Sequence, residues 1–208
     1  MRVALFTSVS ANIADMAALT MPNKLAYCLR HGYSLIADNR PYDEAVRSTA
    51  TLCKYLDSFD VLWTLDCDAV ITNMATAVHE LPCLGPNVTV CEEGIAQWNR
   101  VNCGSMVWKN TPATRALMYA IQAAEPDWKN MPCIWQSWIA QPHIVRSFCV
   151  AIAPLRSFNS CEWTLPGGGP GEPGTHWQPG DFVYHPCGVF PMAERLSRIA
   201  AALKGVAA

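Results

Sequence analysis

The chain has 208 residues, 51% of them hydrophobic and 15% charged, with a formal net charge of −2. This is a globular composition with apolar mass for one sizeable core, and it excludes a disordered chain. The charge balance leaves no basic excess for a nucleic-acid backbone, and no run of about 18 apolar residues is present to cross a bilayer, so neither nucleic acid nor a membrane span is expected.

Val3 to Ser8 reads as a first strand, apolar and then polar, and fits that better than a signal peptide. A loop containing Asn12 follows. Ile13 to Arg30 has helical spacing, but Pro22 should start or break a helix, which places the helix from about Asn23 to His31, closed by Gly32. Tyr33 to Ala37 is a second strand, and Asp38, Asn39 and Pro41 form a polar turn. Asp43 to Asp57 is helical, and Val61 to Leu65 is a third strand. Strands alternating with helices of this length predict a right-handed βαβαβ unit on a parallel sheet, whose ligands bind at the carboxyl ends of the strands.

The second half is less regular. Val88 to Cys91, Gly104 to Trp108, Phe148 to Ala153 and Asp181 to Tyr184 read as strands. Thr111 to Ala124, Trp135 to Ala140 and Glu194 to Lys204 read as helices, the first with Pro112 in its opening turn. The Gly- and Pro-rich stretch 165–174 reads as a lid or a surface connector. The sequence shows no internal repeat and no clear linker, so one domain is expected. Ten cysteines include no Cys-x-x-Cys pair, so reduced thiols in a cytoplasmic protein are expected rather than a zinc site.

The third strand runs straight into Asp66 and Asp68. Two carboxylates one residue apart on a buried strand need water, a metal or a ligand to compensate them. Residues two apart in extended backbone face one side, so both can reach one hard cation of the Mg²⁺ or Mn²⁺ type shared with substrate phosphates. A pair of turn-capping aspartates is the bland alternative. His185 follows an apolar strand and is either structural or a third ligand. Asn102, Gly104 and Ser105 place small polar groups just before a strand, where Gly allows close backbone approach to a ligand; a tight turn is the alternative.

Taken together, these segments resemble metal-dependent glycosyltransferases of the GT-A fold, in particular the galactosyl-, mannosyl- and xylosyltransferase family related to yeast α-mannan and plant xyloglucan enzymes. The resemblance rests on Asn23-Lys24 with Tyr27 and His31-Gly32-Tyr33, on Trp63 to Asn73, on Trp98 to Ser105, on Phe158-Asn159-Ser160 and on Trp177 to Gly188. It implies a single α/β, Rossmann-like GT-A domain over 1–208 with a mixed, mostly parallel sheet flanked by helices, 1–73 being its nucleotide-binding βαβαβ part and 74–208 its donor-sugar and acceptor part.

The resemblance further implies that Asp66, Asp68 and His185 hold Mn²⁺, or Mg²⁺, on the diphosphate of a nucleotide sugar, with Cys67 and Gly188 inside the same two motifs. Thr7 and Ser8 would line the nucleotide pocket, and Asp38 or Asn39 would meet the base. Arg47 would face the nucleotide. Asn102, Gly104 and Ser105 would border the donor sugar, and Gln136 would lie near the anomeric carbon. Asp68 and Gln136 are thus the expected catalytic residues. Trp135 departs from the family, which has an acidic residue before that Gln. The chain also lacks the membrane anchor and stem of the eukaryotic enzymes, so a Golgi setting does not carry over.

The implied reaction moves a hexose from a UDP-sugar, UDP-galactose or UDP-glucose first, to an unidentified carbohydrate or glycoconjugate acceptor, with retention of configuration. Trp135, Trp138, Trp163 and Trp177 offer flat faces for an acceptor platform or for ordinary packing. Two rival readings are a haloacid-dehalogenase-type phosphatase, with Asp66 as nucleophile and Asp68 as acid, and a non-catalytic nucleotide-sugar-binding module. The phosphatase motif normally ends the first strand, whereas a βαβ unit precedes it here.

Overall fold

A computed structural model describes residues 1–40, 49–95, 99–124, 139–163 and 176–206. In chain order they form β1 (Val3–Ser8), α1 (Ala14–His31), β2 (Ser34–Asp38), α2 (Thr49–Leu56), β3 (Val61–Leu65), β4 (Val70–Ile71), β5 (Val88–Ile95) and β6 (Asn99–Lys109). Then come α3 (Pro112–Ala124), α4 (Pro142–Phe148), β7 (Ala151–Ala153), β8 (Ser160–Trp163), β9 (Val183–Gly188) and α5 (Met192–Lys204).

The main sheet has the strand order β2-β1-β3-β6-β5-β7. β1 pairs parallel with β2 and β3, β5 pairs parallel with β7, and β6 runs against both of its neighbours. A small second sheet has the order β4-β9-β8. The fold is therefore α/β with a mixed, mostly parallel sheet, as the sequence predicts.

Residues on alternate sides of β1 and β3 enter two different cores. Ala4, Phe6 and Leu62 pack with Leu52, Leu56, Leu117, Met118 and Ile121 from α2 and α3. Val3, Leu5, Val61, Trp63 and Leu65 pack with Tyr27 and Cys28 of α1 and with Phe182 and Val183 of the small sheet. Burial on both faces explains why β1 and β3 are continuous apolar runs rather than alternating ones. It also means that their polar ends project into whatever lies beyond the sheet edge.

Several segments differ from the sequence expectation, and those that bear on the site are the following. α1 begins at Ala14 and carries Pro22 inside it. A proline there removes one helical N–H, but side chains on both sides of it tie the helix down. Thr20 Oγ1 donates to Cys67 O at 2.7 Å, and Asn23 both donates to Ile71 O and accepts from Ile71 N. Tertiary bonds of this kind outweigh local propensity.

The strand expected at Gly104–Trp108 is the second half of the longer β6. Phe148 closes α4, Cys149 takes a left-handed conformation at φ 50°, and the strand starts only at Ala151. The last strand is Val183–Gly188, so His185 lies within it rather than after it. Pro186 and Gly188 read as breakers in the sequence, yet β9 is held from both sides by β4 and β8.

Residues 41–48, most of the Trp135–Ala140 helix and the 165–174 stretch lie outside the described residues. None of the nine described cysteines is in a disulfide. No described helix is long and apolar enough to cross a membrane.

Candidate metal centre

β3 ends because the chain turns. Asp66 N–H still donates across the sheet to Gly104 O at 2.7 Å, and Ala69 N–H then donates back to Asp66 O at 3.2 Å. That turn brings Asp68 beside Asp66. Lys24, fully buried on α1, braces it from below. Its ammonium donates to Cys67 O at 3.0 Å and to Ala69 O at 2.6 Å. Cys67 itself points into the core, beside Met16 and Val70.

Burial pushes the Lys24 ammonium down to about 8 from an ordinary 10.5, although Cys67, Asp68 and Asp66 pull it back up. The unfolded chain therefore holds this proton up to a higher pH than the folded one. The linked stability rises with pH between the two values. In metal-free protein, Lys24→Met should be destabilised by roughly 2–4 kcal/mol at neutral pH, because two buried carbonyls lose their donor and two carboxylates lose a cation. The wild type's margin over this variant should then widen as pH rises from about 8 towards 10.5, measured by denaturant unfolding.

His185 closes the site from the small sheet. Its Nε2 stands 3.2 Å from Asp68 Oδ1 and 3.6 Å from Asp66 Oδ2. Its Nδ1 donates to Asn159 Oδ1 at 3.0 Å. Asn159 Nδ2 donates in turn to Asn102 Oδ1 at 2.8 Å, and the same oxygen accepts from Gly104 N at 2.8 Å. This chain of bonds makes Nδ1 a donor and turns Nε2 towards the two carboxylates. Nε2 is buried and has no hydrogen-bond partner among the described residues.

The three ligand atoms lie within 4.8 Å of one another. Adjacent ligands of an octahedral ion with bonds of about 2.1 Å sit about 3 Å apart, so Asp66, Asp68 and His185 fit a hard divalent cation. Burial disfavours the charged imidazole, but Cys187, Asp68 and Asp66 outweigh it and hold the ring's proton up to about 10. A cation at Nε2 takes the place of that proton.

Arg195, on α5, completes the surroundings. Nη1 donates to Asp68 Oδ2 at 3.2 Å, Nη2 to Cys187 O at 2.8 Å and Nε to Val189 O at 3.1 Å. Each carboxylate oxygen of Asp68 thus has its own task, one facing Arg195 and one facing His185. Burial raises the Asp68 carboxyl, but His185, Arg195 and Lys24 outweigh it and hold the group below the usual carboxylate range. Nothing in the local sequence of α5 marks Arg195. Asn159 is marked only as the middle of a short motif.

The other expected site residues fall in different places. Thr7 and Ser8 end β1 with buried hydroxyls that find no partner among the described residues. Ser8 and Asp66 line one cavity with Phe6, Leu52, Thr64 and Cys103. Asp38 and Asn39 line an open cleft with Arg40, Lys54 and Tyr55 at the end of β2. The Asp38 carboxylate is engaged by Arg40, with Nε to Oδ1 at 3.0 Å. Asn102 and Gly104 belong to the bracing behind His185. Ser105 is fully buried and accepts from the Trp63 indole at 2.9 Å. Gly188 ends β9. Arg47, Gln136, Trp135 and Trp138 lie outside the described residues. Trp177 packs edge-on to Tyr184 at 5.3 Å between centroids.

No protein-family model matches the chain, and no curated protein matches it either. Solved structures do. A glycosyltransferase involved in glycosylating the major capsid of PBCV-1 superposes with a TM-score of 0.67 at 13% identity, covering 97% of this chain and 100% of that one. An active-site mutant of LgtC gives 0.51 at 12% identity over 98% of this chain and 100% of that one. Mouse xyloside xylosyltransferase 1 gives 0.51 at 10% identity, over 92% and 100%. With its sheet order, its flanking helices and an Asp-x-Asp turn at the end of β3, the chain has the GT-A fold of these glycosyltransferases.

Proposed function

We propose that the chain is a metal-dependent glycosyltransferase that moves a hexose from a nucleotide sugar, UDP-galactose or UDP-glucose first, to a carbohydrate or glycoconjugate acceptor. The observation that carries this is the buried Nε2 of His185, set 3.2 Å from Asp68 Oδ1 and 3.6 Å from Asp66 Oδ2 where β3 ends. Breaking the anomeric C–O bond builds negative charge on the departing diphosphate. Mn²⁺ or Mg²⁺, held by the three side chains, supplies electrostatic stabilisation of that charge without proton transfer.

The chain's own residues orient and exclude. Asn159 fixes the imidazole, and Arg195 and Lys24 fix Asp68 and its turn. The unpartnered hydroxyls of Thr7 and Ser8 suit polar groups of a nucleotide, with Asp38, Asn39 and Arg40 farther along the same strand edge. Gln136, by resemblance, serves the anomeric carbon. Retention is assigned by resemblance as well. Among the described residues no carboxylate stands out as a nucleophile for the far face of the sugar, which favours departure and attack on one face.

The test is a panel of nucleotide sugars with Mn²⁺, reading released nucleotide with and without EDTA. Metal-dependent release from UDP-galactose or UDP-glucose supports the reading. Metal-independent release, or binding without turnover, sinks it, and product NMR of the new linkage decides retention. Removing the outer support should weaken the site without emptying it. Asn159→Ala is expected to lower Mn²⁺ affinity roughly 10- to 100-fold while leaving Asp66, Asp68 and His185 intact, as read by titration calorimetry.

A further inference from the structure

We propose that Cys161, His185 and Cys187 form a second, thiolate-rich cation site that takes Zn²⁺ or Cd²⁺ and, by engaging His185, evicts the hard divalent cation from Asp66 and Asp68. The eviction half rests on the metal site of the proposed function; the thiolate site itself does not.

Strand geometry puts the three side chains together. His185 and Cys187 are two residues apart on β9 and face the same side. Cys161 stands opposite His185 in the parallel register of β8. Their ligand atoms lie within 4.8 Å of one another. Tetrahedral Zn²⁺ with bonds of about 2.0–2.3 Å needs its ligands roughly 3.5–3.8 Å apart, so adjustments of about an ångström close the set. Asn102 Nδ2 donates to Cys187 Sγ at 3.8 Å and holds that side chain in place. Cys161 and His185 are buried, whereas Cys187 is half-exposed and opens a path from solvent.

Two ligand sets of opposite character thus meet on one imidazole. Two carboxylates and a nitrogen suit Mn²⁺ or Mg²⁺. Two thiolates and a nitrogen suit Zn²⁺ or Cd²⁺, which also bind more tightly than Mn²⁺ to such donors. On binding to metal-free protein, both thiols and the His185 imidazolium release a proton to solvent, and water fills the fourth position. His185 cannot serve both cations in the orientation that Asn159 fixes, so occupancy of the soft site empties the hard one.

The experiment uses the whole chain and Cd²⁺ as the probe. Metal-free protein is titrated with Cd²⁺ while the ultraviolet thiolate-to-cadmium charge-transfer band is recorded. A parallel titration follows free Mn²⁺ by electron paramagnetic resonance. A saturable band is expected in the wild type and in Cys149→Ser, whose thiol is exposed and remote. The band should be lost in Cys187→Ser and Cys161→Ser, and free Mn²⁺ should rise as the wild-type band grows. Cys187→Ser decides the matter if the buried Cys161→Ser fails to fold. An unchanged band in Cys187→Ser overturns the proposal, as does release of Mn²⁺ with no thiolate band, since Cd²⁺ then sits on the carboxylates. A protein that shows the Cys187-dependent band but never binds Mn²⁺ refutes the metal site of the proposed function and leaves the soft site standing.

Discussion

Asp68→Ala is expected to lose metal-dependent turnover, with kcat/KM falling by more than roughly a hundredfold even at saturating Mn²⁺. Asp68 is the member of the pair with no spare oxygen. One oxygen is 3.2 Å from His185 Nε2 and the other accepts from Arg195 Nη1 at 3.2 Å. Its side chain is 10% exposed, against 35% for Asp66, so water does not readily replace the lost ligand. Truncation also leaves Arg195 facing an empty corner, although its two carbonyl acceptors on Cys187 and Val189 remain. The fold should survive because Lys24 and Thr20 still hold the turn through backbone oxygens. Circular dichroism unchanged from the wild type, with Mn²⁺ binding abolished in calorimetry, is the expected pair of results. Wild-type turnover in Asp68→Ala at saturating Mn²⁺ removes the clamp from the mechanism. Arg195→Gln separates ligand from support: a weaker Mn²⁺ affinity, roughly tenfold, with turnover recovered at high Mn²⁺, marks a residue that positions Asp68 rather than one that meets substrate.

The parts of this site that sequence reading reaches are those written along one strand. Val61 to Leu65 is apolar except for Thr64 because both faces are buried, and the charges that follow it cannot belong to either core. The strand boundaries of β1 and β3 follow from the same burial and match the structure residue for residue. The ligand role proposed for His185 is reached from the sequence only through resemblance, because the groups around it arrive from β3 and from Asn159, far away in the chain. Its place inside β9 is hidden by Pro186 and Gly188, which the pairing with β8 overrides.

The cations that stabilise the carboxylates are hidden for a related reason. Lys24 enters the sequence reading only as part of the Asn23-Lys24 motif of the first helix, with no role attached, and its burial beneath the Asp66–Ala69 turn shows only in the fold. Arg195 reads as one charge in an amphipathic C-terminal helix, and only the packing of α5 beside β9 and β4 brings it to Asp68. The role of Gly104 is likewise invisible without the partner strand. Sequence reading assigns its missing side chain to a ligand's approach, whereas the group that comes closest is the imidazole of His185.

That close approach gives the second large expected effect. A Cβ on Gly104 would stand 2.1 Å from His185 Cε1, 2.7 Å from Nδ1 and 2.9 Å from Asn102 Oδ1. No flexible chain end is available to yield. The imidazole is 1% exposed, its Nδ1 is bonded to Asn159, and Asn102 is held by both Asn159 and the Gly104 amide. Gly104 also accepts the Asp66 amide through its carbonyl, so moving β6 away would carry the Asp66 end of β3 with it. Either relaxation displaces a ligand.

Gly104→Ala should therefore cost about 1–3 kcal/mol of stability from overpacking and should also lower Mn²⁺ affinity by more than roughly tenfold. Gly85→Ala separates the two effects. Its Cβ would meet Ala151 Cβ at 2.4 Å, next to β7 and away from the carboxylates, so it should lose stability with Mn²⁺ affinity intact. Thermal melts and calorimetric titrations of both variants make the comparison. If Gly104→Ala binds Mn²⁺ as the wild type does, the orientation of His185 is not what the cation depends on, and the support built from Asn102, Gly104 and Asn159 serves the fold alone.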